Sequence, residues 1–212
     1  QLYQQLTNEQ LPVDKVIIPR IAEAYRLNYS SSRSALPCLL GAILNDNNFY
    51  CSVVGNSDPA PPIANNLYSS YSRFASWLAA DHRGLVERGD VGVKTIKPSA
   101  GLIPWESDYQ YILEKYREFR KNTDFLILEL GDFSRLDTLN SYLFDQMTII
   151  EKKRLFARLD FFLQELWPNF DFDHEMVILF SPTPSLSNIK TGNFLTPFII
   201  WGKEYPPGFL SS

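Results

Sequence analysis

Four aspartates that follow apolar runs are the side chains of this chain with the clearest potential for chemistry. They are Asp58, Asp81, Asp132 and Asp137. Carboxylates that meet at one edge of a sheet can hold a divalent metal through their oxygen atoms. The alternative for each is a structural role, because aspartate commonly caps the turn after a strand. Asp132 is the candidate metal ligand, for manganese or zinc, since Gly131-Asp132 ends the most apolar run.

Further polar residues at the ends of these runs extend the candidate site. The candidate binding residues are Asn56, Asp58, Asp81, His82 and Ser181. His82 follows a predicted strand and His174 precedes one, so these two histidines are not expected to share a metal. Neither cysteine has a histidine close in sequence, and no glycine-rich phosphate loop is present. The sequence therefore assigns no catalytic residue.

The elements that must position these residues are short apolar runs that alternate with helical patterns. The predicted strands cover 49–54, 75–80, 125–130, 176–180 and 198–201, with a short one at 16–18. The predicted helices cover 19–27, 34–44 with Ser34 as cap, 67–74, 108–121 and 148–166. This alternation is typical of a parallel α/β sheet, in which ligands bind beyond the carboxyl ends of the strands. The run at 125–130 is continuous enough to predict a strand covered on both faces.

Composition narrows the classes of protein that fit. The 212 residues predict a single domain with ample length for a core. The net charge of −4, with no basic stripe, argues against nucleic acid as a partner. No apolar stretch approaches the roughly 18 residues of a membrane span.

Cys38 and Cys51 are expected to be buried thiols, with a disulfide as the alternative. Because the first residue is Gln1, the chain is expected to be a piece of a longer protein.

Several segments, taken in order, resemble a little-characterised bacterial family of envelope proteins in the alkaline-phosphatase-like superfamily. They are LLGAIL at 39–44 with VVGNSD at 53–58, DHRGLV at 81–86 with GDV at 89–91, LELGDFSRLD at 128–137, FSPTPS at 180–185, LTPFIIWG at 195–202 and GFLSS at 208–212. The resemblance covers the chain from about Tyr3 to its end. It implies a three-layer α/β/α sandwich with a mostly parallel sheet, on the extracytoplasmic side of the cell envelope.

Enzymes of that superfamily are phosphatases, sulfatases, phosphodiesterases and phosphoglycerate mutases that hold two metals around a serine or threonine nucleophile. Only Asp132 matches a middle-strand metal ligand of that pattern. The late Asp-His-Gly motif is replaced here by residues 181–183, Ser-Pro-Thr, and the opening strand with the nucleophile would lie upstream of Gln1. The resemblance thus leads us to expect a degenerate, non-catalytic domain with a binding or scaffolding role. The alternative is a metal-dependent phosphoryl or sulfuryl hydrolase completed by upstream sequence.

The sequence does not determine which partner such a domain binds. A protein partner and a small anionic ligand both fit, and a small-molecule sensor would need an ordered pocket near Asn56, Asp81 and Asp132. Without the upstream strand, an exposed edge of the sheet is expected to allow self-association with another copy.

Overall fold

The chain forms two compact units, Gln1–Lys152 and Lys153–Ser212. The computed structural model describes residues 8, 10, 15–29, 35–61, 71–205 and 208. The expected cap Ser34 and residues 67–70 of the expected helix at 67–74 lie outside these residues. Residues 71–73 are not helical, so that part of the prediction is wrong, and Phe74 is the first residue of a helix that continues to Ala79. The α/β class is confirmed, because helices and a parallel sheet together make up the first unit.

The first unit contains seven short strands and most of the helices among the described residues. The strands are β1 (Val16–Ile17), β2 (Cys51–Asn56), β3 (Leu85–Val86), β4 (Arg88–Asp90), β5 (Ile96–Pro98), β6 (Trp105–Ser107) and β7 (Phe125–Leu130). The helices are α1 (Ile21–Tyr29), α2 (Leu39–Asp46), α3 (Phe74–Ala79), α4 (Tyr109–Phe119) and α5 (Asp132–Leu139). A 22-residue helix, α6 (Asp145–Leu166), passes from the first unit into the second.

A parallel three-stranded sheet in the order β4-β2-β7 organises the first unit. Cys51 pairs with Phe125 at one end of β2, and Asn56 pairs with Leu130 at the other. β4 runs the same way, with Val54 opposite Asp90. The carboxyl ends of the three strands therefore meet at one edge, as the sequence predicts for β2 and β7.

The central strand of this sheet is β2, and all six of its residues are buried. The prediction that 125–130 is covered on both faces is wrong, because every residue of β7 is half-buried. Among the described residues β7 pairs only with β2, so one side of it has no strand beside it. The hydrophobic core surrounds β2 instead, with Val53, Ala80 and Val86 fully buried.

The predicted strand at 75–80 is also wrong, since residues 75–79 lie in the helix α3 and Ala80 follows it. Its buried residues Ala75, Ser76 and Ala79 recur at helical rather than alternating spacing. A short apolar run does not distinguish a buried helix from a buried strand by periodicity alone. The end of α3 packs closely against α2, since a Cβ on Gly41 would lie 2.2 Å from the carbonyl oxygen of Ala80, the residue after α3.

The second unit holds the end of α6, the strands β8 (Val177–Phe180) and β9 (Phe198–Trp201), and the short helix α7 (Leu186–Lys190). The strands predicted at 176–180 and 198–201 are confirmed, but they pair antiparallel with each other. Val177 lies opposite Trp201, and Phe180 lies opposite Phe198. Ser181 therefore follows a strand of an antiparallel pair and not a strand of the parallel sheet.

The other predicted elements differ from the structure mainly at their ends. Asp108 caps α4 as expected, because its side chain accepts a hydrogen bond from the backbone N–H of Tyr111. The helix predicted at 148–166 begins three residues earlier, at Asp145, so Thr148 lies inside its first turn. Both cysteines are buried and free. Within the described ranges, no helix combines the length and apolarity that a membrane crossing requires.

Candidate functional site

The carboxyl edge of the sheet carries a buried polar network, which we call the Arg135 cluster. Its members are Asn56, Asp58, Ser107, Asp132 and Arg135. The tight passage of the chain from β7 into α5 brings them together. A Cβ on Gly131 would lie 2.5 Å from the carbonyl oxygen of Asn56, so the turn after β7 lies against the end of β2. Helical spacing then places Arg135 one turn after Asp132, facing the same edge.

The guanidinium of Arg135 lies at the centre of this cluster, and only 2 % of the residue is exposed to solvent. Its Nε donates to the carbonyl oxygen of Asp58 at 2.7 Å. Nη2 donates to the carbonyl oxygen of Asn56 at 2.7 Å and to its Oδ1 at 3.2 Å. Nη1 donates to Oδ1 of Asp132 at 3.1 Å and to Oγ of Ser107 at 3.2 Å. All five donor positions of the guanidinium thus have an oxygen partner.

Burial and the neighbouring charges shift the pKa of Arg135 in opposite directions. Desolvation lowers its pKa, while the negative charges of Asp132, Asp58 and Glu129 oppose that shift. An arginine side chain keeps its proton even in such surroundings. The cluster is therefore a cationic centre enclosed by carboxylate and carbonyl oxygens.

Asn56 is a structural member of the cluster rather than an open binding group. Its Nδ2 donates to the carbonyl oxygen of Val91 at 2.9 Å and to Oγ1 of Thr95 at 2.8 Å. Its Oδ1 accepts from the backbone N–H of Asp58 at 3.0 Å, besides the bond from Arg135. The amide thereby ties the end of β2 to the segment that follows β4.

Asp58 is paired with a second arginine. Its Oδ2 accepts from Nη2 of Arg73 at 2.8 Å and from Nε at 3.0 Å, a two-pronged contact. Its Oδ1 accepts from the backbone N–H of Ser72 at 2.6 Å. Only 1 % of Asp58 is exposed, so this carboxylate is committed to internal partners.

Asp132, the predicted metal ligand, is completely buried at the first position of α5. Its Oδ1 accepts from the backbone N–H of Ser107 at 2.6 Å as well as from Arg135. Its Oδ2 is buried and has no hydrogen-bond partner among the described residues. Those residues include no group of three or more histidine, cysteine, aspartate or glutamate side chains that could hold a metal ion. They do not fit the two-metal centre that the resemblance implies.

Glu129 belongs to the same edge, although the sequence predicts only that it lies in the strand at 125–130. Its Oε1 accepts from Oγ of Ser57 at 2.7 Å, and its Oε2 accepts from the backbone N–H of Ala75 at 3.0 Å. Oε1 also accepts from the backbone N–H of Phe74 at 3.3 Å. The carboxylate thus satisfies the free N–H groups at the start of α3. Burial raises its pKa, and the charge of Asp58 adds to the shift.

Replacing Glu129 with glutamine is expected to change how stability depends on pH. A raised folded-state pKa means that the stability from Glu129 is fully present below the ordinary glutamate pKa and is lost as the pH rises through the raised value. Glutamine carries no such charge, so the variant should gain stability relative to the parent as the pH rises above the ordinary glutamate pKa of about 4.3. Urea unfolding midpoints at a series of pH values upward from there measure this. Glu114→Gln, on the exposed face of α4, is the control. A constant difference between Glu129→Gln and the parent would contradict the expectation.

Asp81 and His82 lie in a different setting from the one the sequence predicts. They follow the helix α3, so they do not mark the carboxyl end of a strand. Oδ1 of Asp81 accepts from the backbone N–H groups of Arg83 at 2.8 Å and Leu85 at 3.0 Å, which shapes the turn before β3. His82 is exposed. Asp81 therefore has the structural role of a turn residue.

The remaining candidate residues are not members of the Arg135 cluster as defined above. Asp137 is half-buried on α5. Ser181 belongs to the second unit, where its Oγ donates to the carbonyl oxygen of Thr183 at 2.8 Å. His174 is exposed and contacts Asp171, whose carboxylate raises the histidine pKa. Of the predicted site residues, the structure thus brings together Asn56, Asp58 and Asp132.

Arg135 is the central residue that sequence reasoning missed. Its partners Asn56 and Asp58 are 79 and 77 positions away in the chain. In the sequence, only the spacing Asp132 to Arg135, three residues along a helix, indicates an ion pair. Comparisons of the chain with protein-family models, with curated proteins and with solved structures each find no match.

Proposed function

We propose that this chain is a degenerate, non-catalytic domain with a binding or scaffolding role. The position of the Arg135 guanidinium is the observation that supports this. It lies among the oxygens of Asn56, Asp58 and Asp132, at the edge where an α/β enzyme would bind its ligand or metal. A fixed positive charge there repels a second cation and occupies oxygen atoms that would coordinate it.

The family and location in this proposal rest on the resemblance of the segments described above. We propose the three-layer sandwich of the alkaline-phosphatase-like superfamily for the fold and the extracytoplasmic side of the bacterial cell envelope for the location. The parallel order β4-β2-β7, with polar residues beyond the carboxyl ends, is compatible with that fold. The proposed role is then one in which the sheet edge supports the domain and does not act on a substrate.

Calorimetric titration of the full chain with Mn²⁺ and with Zn²⁺ tests the proposal. We expect no stoichiometric binding at the sheet edge, because the oxygens of the Arg135 cluster already have a cationic partner. Two variants locate any binding that is found: Asp132→Asn within the cluster, and Asp137→Asn as a matched control on the same helix. Tight binding that is lost in Asp132→Asn but kept in Asp137→Asn would overturn the proposal.

A metal-dependent hydrolase of phosphate or sulfate esters is the second candidate. One observation favours it, since Oδ2 of Asp132 is buried without a hydrogen-bond partner among the described residues. Such orphaned buried oxygens are rare in native structures and commonly mark an ion, a water or a functional group. In this alternative, upstream sequence supplies the nucleophile and the other ligands. Phosphatase and sulfatase assays on a longer chain would then follow from a positive metal titration.

A further inference from the structure

One end of the second unit carries a group of exposed apolar side chains, which we call the apolar tip. Its members are Phe180, Leu186, Ile189, Phe194, Leu195 and Phe198. The most exposed of them are Phe194, at 69 %, and Leu195, at 83 %. Soluble proteins rarely expose many large apolar side chains together, and such patches mark surfaces that bind a protein or a membrane.

The pairing of β8 with β9 brings these side chains to the same end of the unit. Phe180 is the last residue of β8 and Phe198 is the first of β9, and their ring centroids are 6.3 Å apart. The backbone N–H of Ser181 donates to the carbonyl oxygen of Pro197 at 3.2 Å, which closes the neck of the connection between the strands. The helix α7 and the loop after it form this connection, so their apolar residues belong to the same end of the hairpin.

The loop after α7 presents Phe194 and Leu195 from an internally hydrogen-bonded turn. The backbone N–H groups of Thr191, Gly192 and Asn193 donate to carbonyl oxygens of α7 at 3.2, 3.1 and 2.9 Å. The backbone N–H of Leu195 donates to Oδ1 of Asn193 at 3.1 Å. An unpaired N–H group is costly in an apolar medium, so a loop that satisfies its own donors enters the edge of a bilayer at lower cost.

The charge carried by this part of the chain is positive. Residues 176–202 contain a single charged side chain, the exposed Lys190 on α7, although the whole chain has a net charge of −4. Among the described residues, the ammonium of Lys190 has no carboxylate partner. Segments that bind the surface of a membrane combine apolar side chains, which enter the acyl boundary, with cations that contact anionic head groups.

We propose that the apolar tip binds the surface of a lipid bilayer that contains anionic lipids. Phe194 and Leu195 would enter the boundary between head groups and acyl chains, and Lys190 would contact a lipid phosphate. A bilayer accepts apolar side chains that protrude from a loop without a matching shape, whereas a protein partner needs a pocket for each anchoring side chain. This inference does not rest on the role proposed for the sheet edge.

Co-sedimentation of the full chain with large unilamellar vesicles tests the inference. One set of vesicles contains phosphatidylcholine alone, and the other contains equal parts of phosphatidylcholine and phosphatidylglycerol. We expect saturable binding to the mixed vesicles at physiological ionic strength. No binding to the mixed vesicles at millimolar lipid would overturn the proposal. Self-association of the chain that is lost in Phe194→Ser, without vesicle binding, would overturn it in favour of a protein partner.

The substitution Phe194→Ser locates the apolar part of the bound surface. We expect the partition coefficient for mixed vesicles to fall about tenfold, because the variant loses the burial of an aromatic side chain. The matched control is Phe144→Ser, since Phe144 is 82 % exposed in the first unit, and it should bind like the parent. Both positions are exposed, so urea unfolding midpoints should stay close to that of the parent. Parent-like binding of Phe194→Ser, or an equal loss in Phe144→Ser, would overturn the assignment.

The substitution Lys190→Gln tests the contact with anionic lipid. We expect it to weaken binding to mixed vesicles about fivefold and to leave binding to phosphatidylcholine alone unchanged. Lys153→Gln, at an exposed position on α6, is the control and should bind both kinds of vesicle like the parent. Equal losses in the two lysine variants would show a general attraction to the whole chain and overturn the role of Lys190.

Discussion

Replacement of Arg135 with methionine is expected to lower the free energy of unfolding by about 3–5 kcal/mol, the usual cost of removing one partner of a buried ion pair. Methionine keeps much of the unbranched apolar stem, so the loss reports the guanidinium rather than a cavity. The variant leaves Asp132, which is completely buried, without its counter-ion. It also removes the donors to the carbonyl oxygens of Asn56 and Asp58. Chemical unfolding followed by circular dichroism measures the change.

The control for this prediction is Arg88→Met on β4. Arg88 is exposed and its guanidinium lies over the ring of Phe119 at 5.7 Å, so we expect a change within about 0.5 kcal/mol. If Arg135→Met unfolds at the same urea concentration as Arg88→Met, the Arg135 cluster does not stabilise the sheet edge.

A double-mutant cycle separates the ion pair from the other bonds of Arg135. Adding Asp132→Asn to Arg135→Met should recover part of the lost stability, because the second change removes the uncompensated buried charge. Asp132→Asn alone should be destabilising, since it leaves the guanidinium without its buried counter-ion. Independent, additive losses from the two substitutions would contradict a direct interaction between these side chains.

The sequence predicts those residues of the site that lie at the carboxyl ends of the strands β2 and β7. β2 and β7 are predicted within two residues of their observed bounds. Asn56 is the last residue of β2, and Asp58 and Asp132 follow β2 and β7 respectively. Because the two strands run parallel, their following residues necessarily meet at one edge. This reasoning needs only local patterns and one topological rule, and both hold here for this pair of strands.

The parts that failed depend on contacts between distant residues. The run at 75–80 fits either a buried strand or a short buried helix, and the bonds that satisfy the N–H groups at the start of the helix come from the distant residue Glu129. The direction of β8 is likewise set by its pairing with β9, which no local pattern encodes. Arg135 has the pattern of an ordinary charged helix residue, and its burial depends on the ends of two strands being in register.

Gly55→Ala is expected to have the second large effect, because glycine is required at this point of β2 for two reasons. The φ of Gly55 is +95°, a conformation that residues with a Cβ rarely adopt. A Cβ there would lie 2.2 Å from the carbonyl oxygen of Glu129, a backbone atom of the neighbouring strand. Strain and steric overlap together are expected to lower the free energy of unfolding by about 3–5 kcal/mol.

The control for Gly55→Ala is Gly92→Ala in the same unit. Gly92 has φ −83°, and its added Cβ would approach only the side chain of Asp90, at 3.3 Å, so we expect a change within about 1 kcal/mol. Urea unfolding compares the two variants, and hydrogen exchange of the β2 amides tests whether the loss is centred on the contact of β2 with β7. Gly55 immediately precedes Asn56, so a variant that folds must shift β7 or turn the end of β2 away from Arg135. Faster hydrogen exchange of the β2 amides would then accompany the loss of stability. Equal unfolding midpoints and equal exchange in Gly55→Ala and Gly92→Ala would mean that the close approach of β2 to β7 does not position the Arg135 cluster.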